Sequence, residues 1–107
     1  MVENLDPEAL ADLLKRGERT VVLLDVREPD ERAIARIEPS LHIPMNEVPA
    51  RHREIPSQRK VVVYCHEGFR SLMVASYLES VGFPNVASLA GGIDAWSYRI
   101  DRSVPRY

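Results

Sequence analysis

The stretch VVVYCHEGFRSLMVASYLESVGF, residues 61–83, decides the fold. An apolar run ends at Cys65, and a helical pattern begins five residues later, at Arg70. Because the apolar run is continuous rather than alternating, it predicts a strand that is buried on both faces of a sheet. Cys65 is the only cysteine of the chain. It is therefore either a small buried hydrophobe at the end of a core strand or a nucleophile held in the loop that follows.

Strand and helix patterns alternate along the rest of the chain. The segment from Asp6 to Gly17 predicts a helix, with Asp6 as the N-cap, Pro7 at the first helical position and Gly17 at the C-terminal cap. Strands that alternate with helices imply parallel crossovers, so the pattern predicts an α/β sandwich with four or five short strands. The further segments are TVVLLDV, SLHIP and NVASLAGG as strands, and EPDERAIARI and GIDAWSYRI as helices.

Length and composition predict one globular domain over residues 1–107, since 45% of the 107 residues are hydrophobic and 28% are charged. A net charge of −2 gives no basic field for nucleic acid. The longest aliphatic runs, VVLL and VVVYC, are too short to cross a bilayer, and the first residues lack the basic region of a signal peptide. One cysteine forms no internal disulfide, so we expect a cytoplasmic protein. From the charge and the short aliphatic runs, we expect neither nucleic-acid nor membrane partners.

Parallel strands place the candidate site at their carboxyl ends, where open α/β sheets bind ligands. Asp25 lies near the end of VVLLDV, and Cys65 ends KVVVYC. If these two strands are neighbours, we expect both side chains to open onto the same crevice.

The loop after Cys65 has a composition that suits a reactive thiol. Backbone N–H groups of a short loop, together with a helix N-terminus, stabilise an anion or a thiolate. Gly68 permits a backbone conformation that a side chain forbids, and Arg70 offers a planar fork of donors to an anionic group. Standing alone, a cysteine at a strand end is more often buried and inert, but the compact order of glycine, arginine and helix start favours a reactive site.

The motifs of other chemistries are missing from the sequence. The chain has no CxxC pair, and His42, His52 and His66 have no second cysteine with which to form a zinc site. We therefore expect neither a metal site nor a cofactor. The chain has no GxxxxGK[ST] phosphate loop and no GxSxG nucleophile elbow.

Four segments and the C-terminal tail together resemble the rhodanese domain, a sulfurtransferase family. The resemblance implies a single rhodanese-like domain, α/β, with a central, mostly parallel five-stranded sheet and helices on both faces. It also implies that Cys65 carries transferable sulfur as a persulfide. The segments are LLDVREPDE at 23–31, HIP at 42–44, VVVYCHEGFRS at 61–71 and ASYLESVGFPNVASLAGGIDAW at 75–96.

The resemblance assigns roles to the loop and its surroundings. Cys65 is the expected catalytic residue of a thiosulfate sulfurtransferase-like enzyme. The next five residues are expected to bind the substrate, and three others are expected to support the loop without taking part in the chemistry. The substrate-binding set is His66, Glu67, Gly68, Phe69 and Arg70, and the loop-supporting set is Asp25, Arg27 and Ser71.

Loop length separates sulfur transfer from a related activity. The spacing from Cys65 to Arg70 is C-x4-R, whereas the similar dual-specificity phosphatases have a longer C-x5-R loop. We therefore rank a phosphatase-like enzyme below a sulfurtransferase. A rhodanese-like interaction or regulatory module without catalysis is the other alternative, although modules of that kind often lack the cysteine.

The donor and the acceptor stay open at this point. Glu67 departs from the basic loops of members that favour small anionic donors, so thiosulfate and a protein persulfide are both candidates for the donor. A sulfur-carrier protein is a candidate acceptor. Phe69 is either a partner contact or a peg into the core, and a proton-transfer role for His66 is the less favoured of its two interpretations.

Overall fold

The structure, a computed structural model, describes residues 2–17 and 20–107. Met1, Glu18 and Arg19, which fall within the expected 1–107 domain, lie outside the described residues. The strands form one five-stranded parallel sheet in the order β1-β5-β4-β2-β3. The strands are β1 Glu3–Leu5, β2 Val21–Asp25, β3 Leu41–His42, β4 Lys60–Tyr64 and β5 Val86–Leu89. The helices are α1 Pro7–Lys15, α2 Pro29–Ile34, α3 Val48–Arg51, α4 Phe69–Ser80 and α5 Gly92–Arg99.

The α/β prediction and the five-stranded parallel sheet are confirmed. Helix α1 begins after Asp6 as expected, although the Asp6 side chain forms no capping hydrogen bond. Gly17 follows the helix with φ +108°, a conformation that favours glycine. The edge strand β1 was missing from the strand patterns, and only the family resemblance required a fifth strand.

The sheet carries apolar side chains on both faces, as the continuous apolar runs predict. On one face, Val63 and Cys65 pack with α4 residues such as Val74. On the other face, Tyr64 packs with residues of α1 and α5, among them Leu10. Alternation along a strand therefore sends Cys65 and Tyr64 to opposite sides of the sheet.

The chain order of the strands places a topological switch beside Cys65. After β2 the chain crosses to β3 at one edge, and after β4 it crosses to β5 on the other side. Strands β2 and β4 are parallel neighbours, with Asp25 in register with Tyr64. Open α/β sheets bind ligands at such a point, outside the carboxyl ends of the strands. Among the described residues, none of the helices is long and apolar enough to span a membrane.

Candidate catalytic cysteine loop

Cys65 lies at the carboxyl end of β4 with 1% of its surface exposed. Its Sγ accepts backbone hydrogen bonds from Gly68 at 3.1 Å and from Ser71 at 3.3 Å. Two fixed donors therefore converge on the sulfur from the loop and the first turn of α4. Such donors stabilise negative charge that develops on the sulfur.

The sulfur takes the place of a helix cap. Helix α4 begins at Phe69, and Gly68, its N-cap residue, has no side chain with which to satisfy the first N–H groups. Cys65 Sγ accepts one of these, the N–H of Ser71. Gly68 itself has φ +110°, and a Cβ there would lie 3.3 Å from the backbone nitrogen of Gly91. Both facts favour glycine at this position.

A second helix fixes the opposite side of the loop. The N–H of Ile93 donates to the Cys65 carbonyl at 2.9 Å, and the N–H of Asp94 donates to the His66 carbonyl at 3.1 Å. A Cβ on Gly92 would lie 2.3 Å from the His66 carbonyl oxygen and 2.6 Å from that of Cys65. Only a glycine lets the start of α5 approach the loop this closely.

Two buried serines extend the contacts of Cys65 into the sheet. The Cys65 thiol donates to the Ser71 hydroxyl, with Sγ and Oγ 3.4 Å apart. The Ser71 hydroxyl lies 2.7 Å from the hydroxyl of Ser88, which stands on β5. Both serines are fully buried. Ser71 thus contacts the sulfur through its backbone and its side chain.

Arg70 is held by a carboxylate in this structure. Its two terminal nitrogens donate to the two Glu31 carboxylate oxygens at 2.8 and 2.9 Å, a bidentate pair. These hydrogen bonds lower the pKa of Glu31 to about 2, against the opposing effect of its burial. The pairing also raises the pKa of Arg70. An anionic substrate would have to compete with Glu31 for this guanidinium.

Glu31 has a second local role, because α2 begins with a capping box. The Glu28 side chain accepts the backbone N–H of Glu31, and the Glu31 carboxylate accepts the N–H of Glu28 at 3.0 Å. The same carboxylate therefore ties the start of α2 to the start of α4, next to the Cys65 loop, through Arg70.

Asp25 and Arg27 form a fully buried ion pair. Arg27 Nε and Nη2 donate to the two Asp25 carboxylate oxygens at 2.9 and 2.8 Å, and Arg32 adds a bond of 3.0 Å. Burial alone would raise the pKa of Asp25, but these hydrogen bonds outweigh it and lower the pKa. The Tyr64 hydroxyl donates to the same carboxylate at 3.2 Å.

The expectation that Asp25 opens onto the crevice beside Cys65 is wrong, since its carboxylate has no exposed surface. Strands β2 and β4 are neighbours as required, but Asp25 shares the face of Tyr64 rather than that of Cys65. Arg27 instead braces the segment after β2, because it donates to the carbonyls of Glu31 and Ala35. This geometry fits a supporting role for the pair.

Tyr107 connects the Asp25–Arg27 ion pair to Glu31 and to His66 of the Cys65 loop. Its ring stacks on His66, with centroids 4.0 Å apart and planes 10° apart. Its hydroxyl accepts from Arg27 at 2.9 Å and donates to Glu31 at 3.0 Å. Burial is the largest cause of a rise in the pKa of Tyr107 to about 12, so the hydroxyl keeps its proton for Glu31.

The remaining loop residues face solvent. Phe69 is 76% exposed, so it is not a peg into the core. Met73, one turn later on α4, is 66% exposed and lines an apolar groove whose other wall includes Met45 and Pro49. Glu67 is exposed and forms no ion pair with any residue that the structure describes.

Within residues 2–17 and 20–107, no three His, Cys, Asp or Glu side chains are grouped so that they could hold a metal ion.

Sequence reasoning missed several residues that hold the loop. Glu31 had a detectable signal, because it follows Glu28 at the spacing of a capping box. Ser88 had a weaker one, as a hydroxyl inside an apolar strand. Gly92 and Tyr107 had none, since their contacts depend on how distant segments meet.

The rhodanese-like domain model matches residues 6–99 of this chain. That range contains strands β2 to β5, the loop after Cys65 and the N-termini of α4 and α5 that border the loop, while β1 lies just before it. The chain therefore belongs to the rhodanese-like domain family.

Two curated relatives carry names that describe an activity. A sulfurtransferase of Allochromatium vinosum is 42% identical over 97 residues, which cover 91% of this chain and 90% of that protein. The thiosulfate sulfurtransferase GlpE of Coxiella burnetii is 34% identical over 85 residues, which cover 79% of this chain and 78% of that protein. A solved rhodanese-related protein from Thermoplasma volcanium matches with a TM-score of 0.83 at 28% identity, covering 92% of this chain and 93% of its own.

Proposed function

We propose that this protein is a sulfurtransferase that moves sulfane sulfur from a donor to a thiophilic acceptor through a persulfide on Cys65. The observation that carries the proposal is the convergence of the Gly68 and Ser71 N–H groups on Sγ. Because both donors belong to the backbone, they need no rearrangement when negative charge develops on the sulfur. The sulfurtransferase names of the relatives support the same class.

The reaction is a double displacement in which Cys65 is first a nucleophile and then a carrier. With thiosulfate, the Cys65 thiolate attacks the outer sulfur, a new S–S bond forms, the old S–S bond breaks and sulfite leaves with its electron pair. The product is the Cys65 persulfide anion. An acceptor thiolate then attacks the outer persulfide sulfur, takes it away and releases the Cys65 thiolate.

Charge at the loop bears on the choice of donor. Arg70 is paired with Glu31, so its charge is already matched. Glu67 adds a free negative charge at the exposed part of the loop. A small dianion such as thiosulfate meets less attraction here than at a loop with an unpaired cation. We therefore favour a protein persulfide over thiosulfate as the donor, although thiosulfate remains the practical assay substrate.

A protein partner also fits the exposed side chains around the loop. Phe69 and Met73 lie one turn apart on α4 and present apolar surface at the start of the helix that follows the Cys65 loop. Exposed apolar residues of this size often contact other proteins. We propose that a protein persulfide or a sulfur-carrier protein contacts Phe69 and Met73. We also propose that residues 1–107 form a single cytoplasmic domain that needs no cofactor and binds neither nucleic acid nor membrane.

A module without catalysis is the alternative from another class. It would keep the fold and the exposed apolar residues but would have no use for the N–H groups that meet at Sγ. A phosphatase-like enzyme is disfavoured by the C-x4-R loop, which closes around a single sulfur atom.

Intact-mass spectrometry after incubation with thiosulfate or a protein persulfide tests the proposal. We expect the mass to rise by one sulfur atom per chain and a reducing agent to remove the increment. Cys65→Ser is the matched control, since it keeps the shape of the side chain and abolishes loading. If the wild-type chain stays unloaded with both kinds of donor while it remains folded, sulfur transfer is refuted in favour of the module.

A further inference from the structure

We propose that Ser88 is a positioning residue that turns the Ser71 hydroxyl proton toward Cys65 Sγ. The inference rests on the proposed function, and it adds a residue outside the catalytic loop to the machinery. Ser88 lies on β5 in register with Val63, on the sheet face that also carries Cys65. Its Oγ is 2.7 Å from Ser71 Oγ, which in turn is 3.4 Å from Sγ.

Proton counting decides how these three groups can be connected. Each serine hydroxyl has one proton to donate. If Ser71 donates to Ser88, it has none left for the sulfur, and the proton between Sγ and Ser71 must come from a Cys65 thiol. If Ser88 donates to Ser71, the Ser71 proton is free to point at Sγ. The sulfur is then the acceptor in that contact.

Sulfur carries no proton in the two states that the reaction uses. Sγ of the thiolate is an acceptor only, and Sγ of the persulfide is bonded to Cβ and to the outer sulfur. In both states the order Ser88 to Ser71 to Sγ gives each hydroxyl proton an acceptor. The reverse order leaves the Ser88 proton unused, because Ser71 is its sole hydrogen-bond partner among the described residues.

Burial makes this connection effective. Ser71 and Ser88 both have 0% of their surface exposed, so bulk water does not replace either hydroxyl. A hydrogen bond to an ionised group in such surroundings is stronger than a neutral one. Ser88 would therefore help to stabilise negative charge on Cys65 Sγ, without touching the sulfur.

Alkylation of Cys65 by iodoacetamide across a range of pH tests the inference in the full chain. We expect Ser88→Ala to slow alkylation about tenfold at pH 7 and to move the pH profile upward, while the limiting rate at high pH stays unchanged. Ser97→Ala is the matched control. Ser97, on α5, is another buried serine whose hydroxyl donates to the Val104 carbonyl, and its loss should leave the profile in place.

Two further comparisons exclude a merely structural effect. Ser88→Thr keeps the hydroxyl, and Ser88→Val has the shape of the threonine variant without the hydroxyl. Of these two variants, only Ser88→Val should therefore shift the pH profile of alkylation upward. In a Ser71→Ala background, Ser88→Ala should add nothing, because Ser88 acts through Ser71. An unchanged profile in the valine variant, or additive effects of the two alanine substitutions, would overturn the role of Ser88.

Alkylation needs no sulfur donor, so its outcome is independent of the test of sulfur transfer. A Ser88 effect in a chain that never loads sulfur refutes the transfer alone. Normal loading with an unchanged alkylation profile refutes the role of Ser88 alone.

Discussion

Gly92→Ala places a methyl group where the structure has backbone. The new Cβ would lie 2.3 Å from the His66 carbonyl oxygen and 2.6 Å from the Cys65 carbonyl oxygen. Neither atom is the end of a flexible side chain, so α5 and the Cys65 loop have to separate. That separation breaks the hydrogen bonds from Ile93 and Asp94 that now join them.

The cost can be assembled from these contacts. Two lost hydrogen bonds contribute about 0.5–1.5 kcal/mol each. Holding alanine at the Gly92 φ of +63° adds about 1–2 kcal/mol. The sum is about 2–5 kcal/mol, a large part of the roughly 5–15 kcal/mol that stabilises a typical domain.

Gly82→Ala is the matched control, because it separates crowding from backbone strain. Gly82 also has a positive φ, +104°, but a Cβ there would meet nothing within 4 Å. It should cost only the backbone strain, about 1–2 kcal/mol. Urea unfolding gives both free energies, and iodoacetamide alkylation reports on the loop. If Gly92→Ala is no more destabilising than Gly82→Ala, the close packing of α5 on the loop is not as described.

Three other perturbations address the ion pairs and the exposed surface. The pKa of Glu31 is lowered from 4.5 to about 2, so its pairing with Arg70 stabilises the fold fully above pH 4.5 and is lost as pH falls toward 2. Urea unfolding across this range should show a loss of at most about 3 kcal/mol, reduced by solvent around the partly exposed pair, and Glu31→Gln should flatten it. Asp25→Asn leaves the buried Arg27 cation without its counter-charge, and we expect the unfolding free energy to fall by about 3–5 kcal/mol; a loss below 1 kcal/mol would contradict the burial of this pair. Phe69→Ser should leave sulfur loading from thiosulfate within about twofold and slow loading from a protein persulfide by about tenfold; equal effects on both donors would refute a partner contact.

Local patterns were enough to predict most of the fold. The continuous apolar runs around Val22 and Val62 predict central strands, and both proved to be buried on two faces. The proline and glycine at the ends of α1 predict its bounds. Strand β1 escaped because it is three residues long, with two of them exposed, so it has no periodic signal. Its place at the edge of the sheet depends on β5.

The site was predictable only where it is contiguous in sequence. The order of strand, short loop and helix start after Cys65 predicts backbone N–H groups around the sulfur, but it does not predict that Ser71, beyond the loop, would be one of the two donors. The partner of Arg70 was not predictable in this way, because Glu31 lies 39 positions away and meets it only after the sheet forms. Ser88 likewise reaches the sulfur's neighbour from a separate strand.

Discharge of the isolated, sulfur-loaded protein tests the persulfide on Cys65 most directly. The chain is loaded, freed of donor by desalting, and mixed with an acceptor thiol or cyanide. A Cys65 carrier predicts that one sulfur per loaded chain appears on the acceptor as the mass increment disappears, and that Cys65→Ser neither loads nor delivers. If a loaded chain keeps its extra sulfur while acceptor and donor together still react, or if Cys65→Ser delivers sulfur as well, Cys65 is not the carrier.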